Sequence, residues 1–156
     1  MYKKKRFPLV LVALILFFQS FIGITVRADD DFSVNASAGY AIDADSGKVF
    51  FNQDGDTPKG IASITKTVTA YLVLDAIKQK KITWDQEVPI SEYAESLSTV
   101  PDLSNVTLVS GQKYTVKDIF EAMIVQSANA CAVALAELVD GSEHTFVDQM
   151  REQLKK

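Results

Sequence analysis

Two residue types that commonly build metal sites, disulfides and catalytic triads are almost missing from this sequence. Its 156 residues contain one cysteine and one histidine. A lone cysteine cannot form an intramolecular disulfide, and without a second cysteine or histidine at ligand spacing we expect no metal site. Cys131 lies among small apolar residues and is expected to be a buried hydrophobic residue. A Ser-His-Asp triad would have to use His144, which stands in a polar stretch and is expected to be a solvated residue at a helix start.

Acidic residues are absent from the first 28 positions, which hold five of the 16 lysines and arginines. A basic cluster at residues 3–6 precedes an apolar run at residues 9–26, and Ala28 comes just before an acidic segment. These features predict a secretory signal peptide over residues 1–28, cleaved after Ala28, and therefore an exported protein. The alternative is a retained membrane anchor. However, the apolar run has 18 residues, whereas about 20 are needed to span a bilayer.

Basic residues are in the minority in residues 29–156, the predicted mature domain. This segment has 11 lysines and arginines against 20 aspartates and glutamates, a net charge of about −9. That charge argues against a nucleic-acid partner, because neutralising phosphates requires a basic surface. Hydrophobic residues make up 47% of the chain and charged residues 23%, which is typical of a folded globular protein.

The residue pattern at the start of the predicted mature domain favours a β-hairpin followed by a helix. We expect strands at residues 37–43 and 49–52, joined by a turn at residues 45–48. A loop rich in turn-forming residues then leads to a helix at residues 63–79, whose C-terminal end is marked by lysines. Because this helix is apolar over most of its circumference, we expect it to be buried.

The second half of the sequence is predicted to be mainly helical. Before the helices we expect a strand-and-turn segment at residues 84–91, and then an irregular segment at 92–114 with a short strand near 106–109. Thr115 and Asp118 resemble a capping box at the start of a helix. That helix should break at residues 127–129, and the next should run over residues 130–139 to a stop at Gly141, after which Ser142 can cap a last helix reaching Lys156.

The most informative motif is an S-x-x-K at residues 63–66. On a helix, Ser63 and Lys66 share one face, one turn apart. Serine becomes a nucleophile when a base takes its proton, and burial shifts a lysine towards the neutral amine that can do so. At a helix start, the Ser63 N–H can also donate to a tetrahedral oxyanion. Ser63 is therefore a candidate nucleophile and Lys66 a candidate general base, although a serine near a helix start is often only a cap.

A second motif supplies a further hydroxyl and an amide. Residues 127–129 read Ser-Ala-Asn and lie 64 residues after the first motif, at the predicted helix break. The hydroxyl of Ser127 can relay a proton to a leaving amine, and the amide of Asn129 can hold a substrate carbonyl or the lysine. Taken alone, capping of the helix break would also explain both residues.

Together these motifs resemble the low-molecular-weight penicillin-binding proteins, the serine-type D-alanyl-D-alanine carboxypeptidases. The resemblance runs from about Ala38 to Lys156 and includes residues 41–49, 62–67 and 123–137. It implies an α/β (α+β) fold of the β-lactamase/transpeptidase kind, with an antiparallel sheet and a helical subdomain. It also implies catalytic roles for Ser63, Lys66 and Ser127, a substrate-binding role for Asn129, and no metal or organic cofactor.

The resemblance also implies a substrate and a cellular location. That family removes the terminal D-alanine from peptidoglycan stem peptides through an acyl-enzyme, and β-lactams acylate the same serine. We therefore expect stem peptides ending in D-Ala-D-Ala as partners and β-lactams as inhibitors. The expected location is the extracytoplasmic face of a bacterial membrane or the cell wall, with association to the membrane left open.

One motif of the family has no match in this sequence. The Lys-Thr-Gly strand, which supplies substrate-carboxylate contacts and a second oxyanion donor, is not found up to Lys156. We therefore expect residues 29–156 to be the N-terminal part of a catalytic domain, ending before the later sheet strands. Two alternatives remain: a non-catalytic secreted cell-wall module, and a relative of the serine β-lactamases, for which no loop with a Glu-activated water is evident.

Overall fold

The computed structural model describes residues 32–155, which fall into two compact units that meet in sequence at Pro58 and Lys59. The predicted signal peptide lies outside the described residues and stays a prediction. Within the described range, no helix is long and apolar enough to cross a membrane.

The first unit is the predicted β-hairpin. Strands β1 (Gly39–Ile42) and β2 (Val49–Gln53) pair antiparallel, with a shift of register between Ala41 and Ile42. The connecting turn is held by the carboxylate of Asp43, which accepts hydrogen bonds from the backbone N–H and the hydroxyl of Ser46. These bonds also lower the pKa of Asp43, because they favour its charged form. The hairpin prediction is confirmed, with the first strand beginning two residues later than expected.

The second unit consists of helices packed around one central helix. The 3-10 turn Ala62–Thr65 leads directly into helix α1, and the helices are α1 (Lys66–Lys78), α2 (Glu92–Ser98), α3 (Val116–Val125), α4 (Asn129–Asp140) and α5 (Glu143–Gln153). Helix α4 contacts all four of the others. Six of its twelve residues are buried, and three of these are alanines. Small side chains let neighbouring helices come close, so α4 forms the centre of the core.

The predicted capping box, glycine stop and serine cap of the later helices are confirmed, whereas the last helix ends at Gln153 and not at Lys156 as expected. Thr115 and Asp118 form a full capping box at the start of α3. Gly141 ends α4 with a φ of +79°, a left-handed conformation that glycine adopts without strain. The side chain of Ser142 then accepts the N–H of Thr145 and caps α5.

The expected surroundings of the lone cysteine and histidine are also confirmed. Cys131 is fully buried in α4, and burial raises the pKa of its thiol to about 11. A thiol with so high a pKa carries little thiolate and is a poor nucleophile. The side chain of His144 is exposed in the first turn of α5.

The segment between α1 and α3 differs from the prediction. Residues 84–91 form no strand and contribute a single bridge, between Glu87 and Thr115. Helix α2 was missed: the hydroxyl of Ser91 caps it, and two glutamates in its first turn favour a helix start. No strand forms at residues 106–109, because the N–H of Leu108 donates to the side chain of Ser98 and not to a neighbouring strand.

The helix after the S-x-x-K motif also differs from the prediction. Its first turn is a 3-10 turn, and only one side of α1 is buried, through Thr69, Leu72, Val73 and Ala76. The apolar side chains of Tyr71 and Leu74 are 52% and 45% exposed. The expectation of a helix buried all round was therefore wrong for the described residues.

Helix α1 ends in a Schellman motif that contains a lysine where glycine is usual. The N–H of Lys81 donates to the carbonyl of Ala76, and the N–H of Lys80 donates to the carbonyl of Ile77. Lys80 has a φ of +60°, in the left-handed region. A non-glycine residue pays a steric cost in that conformation.

We therefore expect Lys80→Gly to raise the free energy of unfolding by roughly 1 kcal/mol, through relief of the steric cost of a side chain in the left-handed region. Urea denaturation followed by circular dichroism measures this change. Lys81→Gly is the matched control: it removes the same charge one residue later, at a position without a positive φ, and should give no gain. An equal gain in both variants would show that charge, not backbone conformation, is responsible.

Candidate active site

The side chain of Lys66 joins the two sequence motifs. Its Nζ donates to Ser63 Oγ at 3.1 Å, to Ser127 Oγ at 3.3 Å and to Asn129 Oδ1 at 2.9 Å. Two of these partners are 61 and 63 residues away in the sequence. The fold therefore brings together all four residues that the sequence singled out.

The 3-10 turn places Ser63 beside Lys66. In a 3-10 helix, side chains three residues apart lie one above the other, so the hydroxyl and the amine meet directly. The preceding residue, Ala62, has a φ of +45°, and this left-handed residue turns the chain into the helix. Ser63 itself is exposed, so a ligand can reach its hydroxyl. Its N–H lies in the first turn, where backbone donors lack intrahelical acceptors.

The break between α3 and α4 presents Ser127 and Asn129 to the lysine. Ser127 has a φ of +56°, an uncommon conformation for serine that reverses the chain between the two helices. Such conformations cost energy and are often found at functional sites. Asn129 is the first residue of α4, and its main-chain N–H donates to the carbonyl of Ser104 at 2.9 Å.

Sequence reasoning missed the support that Ser104 and Asn105 give to this site. The side-chain Nδ2 of Asn129 also donates to the Ser104 carbonyl, at 3.0 Å. The Oδ1 of Asn105 accepts the N–H of Ala130 at 2.8 Å. A main-chain carbonyl has no signature in sequence, and an asparagine in a polar loop does not stand out from its neighbours.

The surroundings of Lys66 shift its amine towards the neutral form. Burial lowers the pKa of its amine below the ordinary lysine value, because the charged form loses solvation. Among residues 32–155, no carboxylate forms an ion pair with Lys66 that could restore that charge. Its three partners are neutral oxygens.

A cavity of about 600 Å³ opens beside these residues. The cavity is lined by Ser63, Lys66 and Asn129 and by residues 102–104 of the loop between α2 and α3. Apolar side chains of α4 and Phe146 of α5 add to the lining. The described part of the chain has no cluster of three or more potential metal ligands. Ser63, Lys66 and Asn129 thus present a hydroxyl, an amine and an amide to a cavity that Tyr93, Asp102 and Glu143 also line.

The lowered pKa of Lys66 can be measured directly. With ¹³C-labelled lysine, we expect the NMR titration midpoint of Lys66 to lie below the ordinary lysine range, because burial disfavours its charged form. Lys113 is the internal control: its hydrogen bond to the Glu87 carboxylate raises its pKa. A Lys66 midpoint at or above that of Lys113 would contradict the assignment.

The same pKa shift has a consequence for stability. Between the folded-state midpoint of Lys66 and the ordinary lysine value, the unfolded chain binds a proton that the folded chain does not. The free energy of unfolding should therefore rise with pH across this interval, relative to a Lys66→Met variant. Below the folded-state midpoint, the difference between the two proteins should not depend on pH.

Comparison with known proteins identifies relatives across most of this chain. The sequence profile of the D-alanyl-D-alanine carboxypeptidase family matches residues 24–156. The D-alanyl-D-alanine carboxypeptidase DacF of Bacillus subtilis is 33% identical over 121 residues, which are 78% of this chain and 30% of that protein. The chain thus spans about a third of the length of the curated relatives it matches.

Comparison with solved structures identifies penicillin-binding proteins that are similar to this chain. A peptidoglycan synthesis regulatory factor, PBP3 from Streptococcus pneumoniae, superposes with a TM-score of 0.75 and 42% identity, over 79% of this chain and 34% of that one. Penicillin-binding protein D2 from Listeria monocytogenes, in its ampicillin-bound form, has a TM-score of 0.64 and 28% identity, over 80% of this chain and 48% of that one. The expected transpeptidase-like fold class is confirmed, and this chain belongs to the D-alanyl-D-alanine carboxypeptidase family.

Proposed function

We propose that these residues form the acylation site of a serine-type D-alanyl-D-alanine carboxypeptidase, a hydrolase that acts on peptidoglycan stem peptides ending in D-Ala-D-Ala. The observation that carries the proposal is the contact of one lysine amine with Ser63, Ser127 and Asn129. Family membership supports it. The predicted export signal fits a substrate found at the outer face of a bacterial membrane or in the cell wall.

In the first half of the reaction, the neutral amine of Lys66 takes the proton from the Ser63 hydroxyl. The serine oxygen attacks the carbonyl carbon of the penultimate D-alanine and forms a tetrahedral oxyanion. The N–H of Ser63 can donate to this oxyanion at the helix start. As the C–N bond breaks, Ser127 gives its proton to the leaving amine and is reprotonated from the Lys66 ammonium. Free D-alanine departs, and the shortened peptide stays as an ester on Ser63.

In the second half, water hydrolyses the ester. The amine of Lys66 takes a proton from the attacking water, whose oxygen bonds to the ester carbonyl carbon. When the C–O bond to Ser63 breaks, the lysine returns the proton to the serine oxygen. The peptide leaves with a new carboxyl group, and no cofactor is consumed. Both halves use the neutral amine of Lys66, and burial lowers the pKa of this amine, which increases its neutral fraction at a given pH.

Asn129 has two proposed roles. Its Oδ1 accepts from Lys66, while its Nδ2 carries two N–H groups, of which one donates to Ser104. The second N–H can donate to a carbonyl of the bound peptide in the adjoining cavity. The relative from Listeria monocytogenes has been crystallised with ampicillin and with cefotaxime, and we propose that β-lactams likewise acylate Ser63 here.

Labelling with a fluorescent penicillin tests this proposal. We expect the chain to become covalently labelled and Ser63→Ala to lose the label, because the acceptor oxygen is removed. Thr67→Ala is the matched control: it removes a hydroxyl from the same stretch of helix, one that donates only to the carbonyl of Ile64, and it should keep the label. A folded wild-type chain without label would favour the non-catalytic cell-wall module.

The fate of the label distinguishes a carboxypeptidase from a relative of the serine β-lactamases, the remaining alternative. A carboxypeptidase should keep the penicilloyl ester for many minutes and release D-alanine from a D-Ala-D-Ala peptide. A β-lactamase should turn over the penicillin repeatedly and leave the peptide intact. The labelling rate should also rise with pH along the deprotonation of Lys66, and a rate independent of that titration would contradict its role as the base.

A further inference from the structure

The loop between α2 and α3 is tied to the start of α4 by the side chain of Asn105. Its Oδ1 accepts the N–H of Ala130, and its Nδ2 donates to the carbonyl of Leu97 at 2.9 Å. Ala130 lies in the first turn of α4, where its N–H has no acceptor within the helix, and Leu97 lies in the last turn of α2, where its carbonyl also accepts the N–H of Val100 at 3.3 Å. One amide therefore satisfies the open N–H donor at the start of α4 and adds a further donor to a carbonyl at the end of α2.

These two hydrogen bonds of Asn105 hold the carbonyl of the preceding residue, Ser104, against Asn129. That carbonyl accepts both the main-chain N–H and the side-chain Nδ2 of Asn129. With Nδ2 directed at Ser104, the amide oxygen faces the amine of Lys66. The flipped amide would place an NH₂ group against a lysine that needs an acceptor, and would leave Oδ1 facing another carbonyl. The Ser104 carbonyl thus selects the orientation in which Asn129 can bind the lysine.

We propose that Asn105 is a positioning residue for the acyl-transfer site: it fixes the Ser104 carbonyl, which orients the amide of Asn129 towards Lys66. This inference rests on the proposed function for its catalytic consequence. The orientation of the Asn129 amide can be measured whether or not the chain is acylated.

Asparagine suits this position because its side chain both donates and accepts. Asn105→Ala removes both bonds, leaves the N–H of Ala130 without its acceptor and detaches the loop from the end of α2. The Ser104 carbonyl then loses its fixed place, and the amide of Asn129 can turn away from the lysine. Loss of such a hydrogen bond should slow the acylation of Ser63 about tenfold per folded molecule.

The control must loosen the same loop without reaching the site. Ser98→Ala does so: the hydroxyl of Ser98 accepts the N–H of Leu108 and donates to the carbonyl of Glu95, and it makes no bond to Asn129 or Lys66. Both variants are expected to lower the melting temperature. Only Asn105→Ala should disturb the Asn129 amide.

The experiment uses the full chain and two measurements. The first follows the Nδ2 signals of Asn129 in ¹⁵N NMR, where Asn105→Ala should shift them and speed their exchange with water, while Ser98→Ala leaves them in place. The second is the acylation rate with a fluorescent penicillin, corrected for the folded fraction. It should fall about tenfold in Asn105→Ala and stay within a factor of about two in Ser98→Ala.

The outcomes separate the two proposals. Unchanged Asn129 signals in folded Asn105→Ala would overturn the positioning role. Shifted signals with an unchanged acylation rate would overturn its importance for the reaction. A folded wild-type chain that is not acylated would count against the proposed function, and the NMR signals would then decide the orientation of Asn129 by themselves.

Discussion

The geometry of the candidate site depends on one side chain, Lys66, which links the start of α1 to the break between α3 and α4. Lys66 stands at the start of α1, and its amine reaches across to the break between α3 and α4. Three hydrogen-bonding oxygens converge within 3.3 Å of this nitrogen. Because a hydrogen bond weakens steeply with distance and angle, a small shift of α1 relative to α4 would break the set. The packing of these helices therefore determines the geometry of the site.

The composition of α4 makes this close packing feasible. The buried residues of the helix are Ala130, Cys131, Val133, Ala134, Leu135 and Ala136. Most of them are small, so α1, α2, α3 and α5 can all pack against one helix. The start of α4 is held in place by Ser104 and Asn105, which compensates for the lack of a side-chain cap at Ala128. Small residues in the core and an anchored first turn together fix the position of Asn129.

Features encoded by neighbouring residues could be read from the sequence, and features that depend on distant partners could not. The turn at Asp43, the capping box at Thr115 and the stop at Gly141 each follow from a few adjacent residues. The S-x-x-K spacing predicted the contact between Ser63 and Lys66 for the same reason. Helix α2 was missed because its serines suggested a loop, while its core contacts come from α4. The role of Asn105 was hidden because its partners lie 8 and 25 residues away.

The amide of Asn129 also explains how two similar hydroxyls can take different proposed roles. A neutral lysine amine has two N–H groups and one lone pair, and Oδ1 of Asn129 can only accept, so it takes one N–H. One N–H and the lone pair remain for the hydroxyls of Ser63 and Ser127. The hydroxyl that donates into the lone pair becomes the nucleophile, and the other accepts the N–H and keeps its own proton for the leaving group. Ser63 is the more exposed of the two and has helix-start N–H donors beside it, so attack from Ser63 fits best.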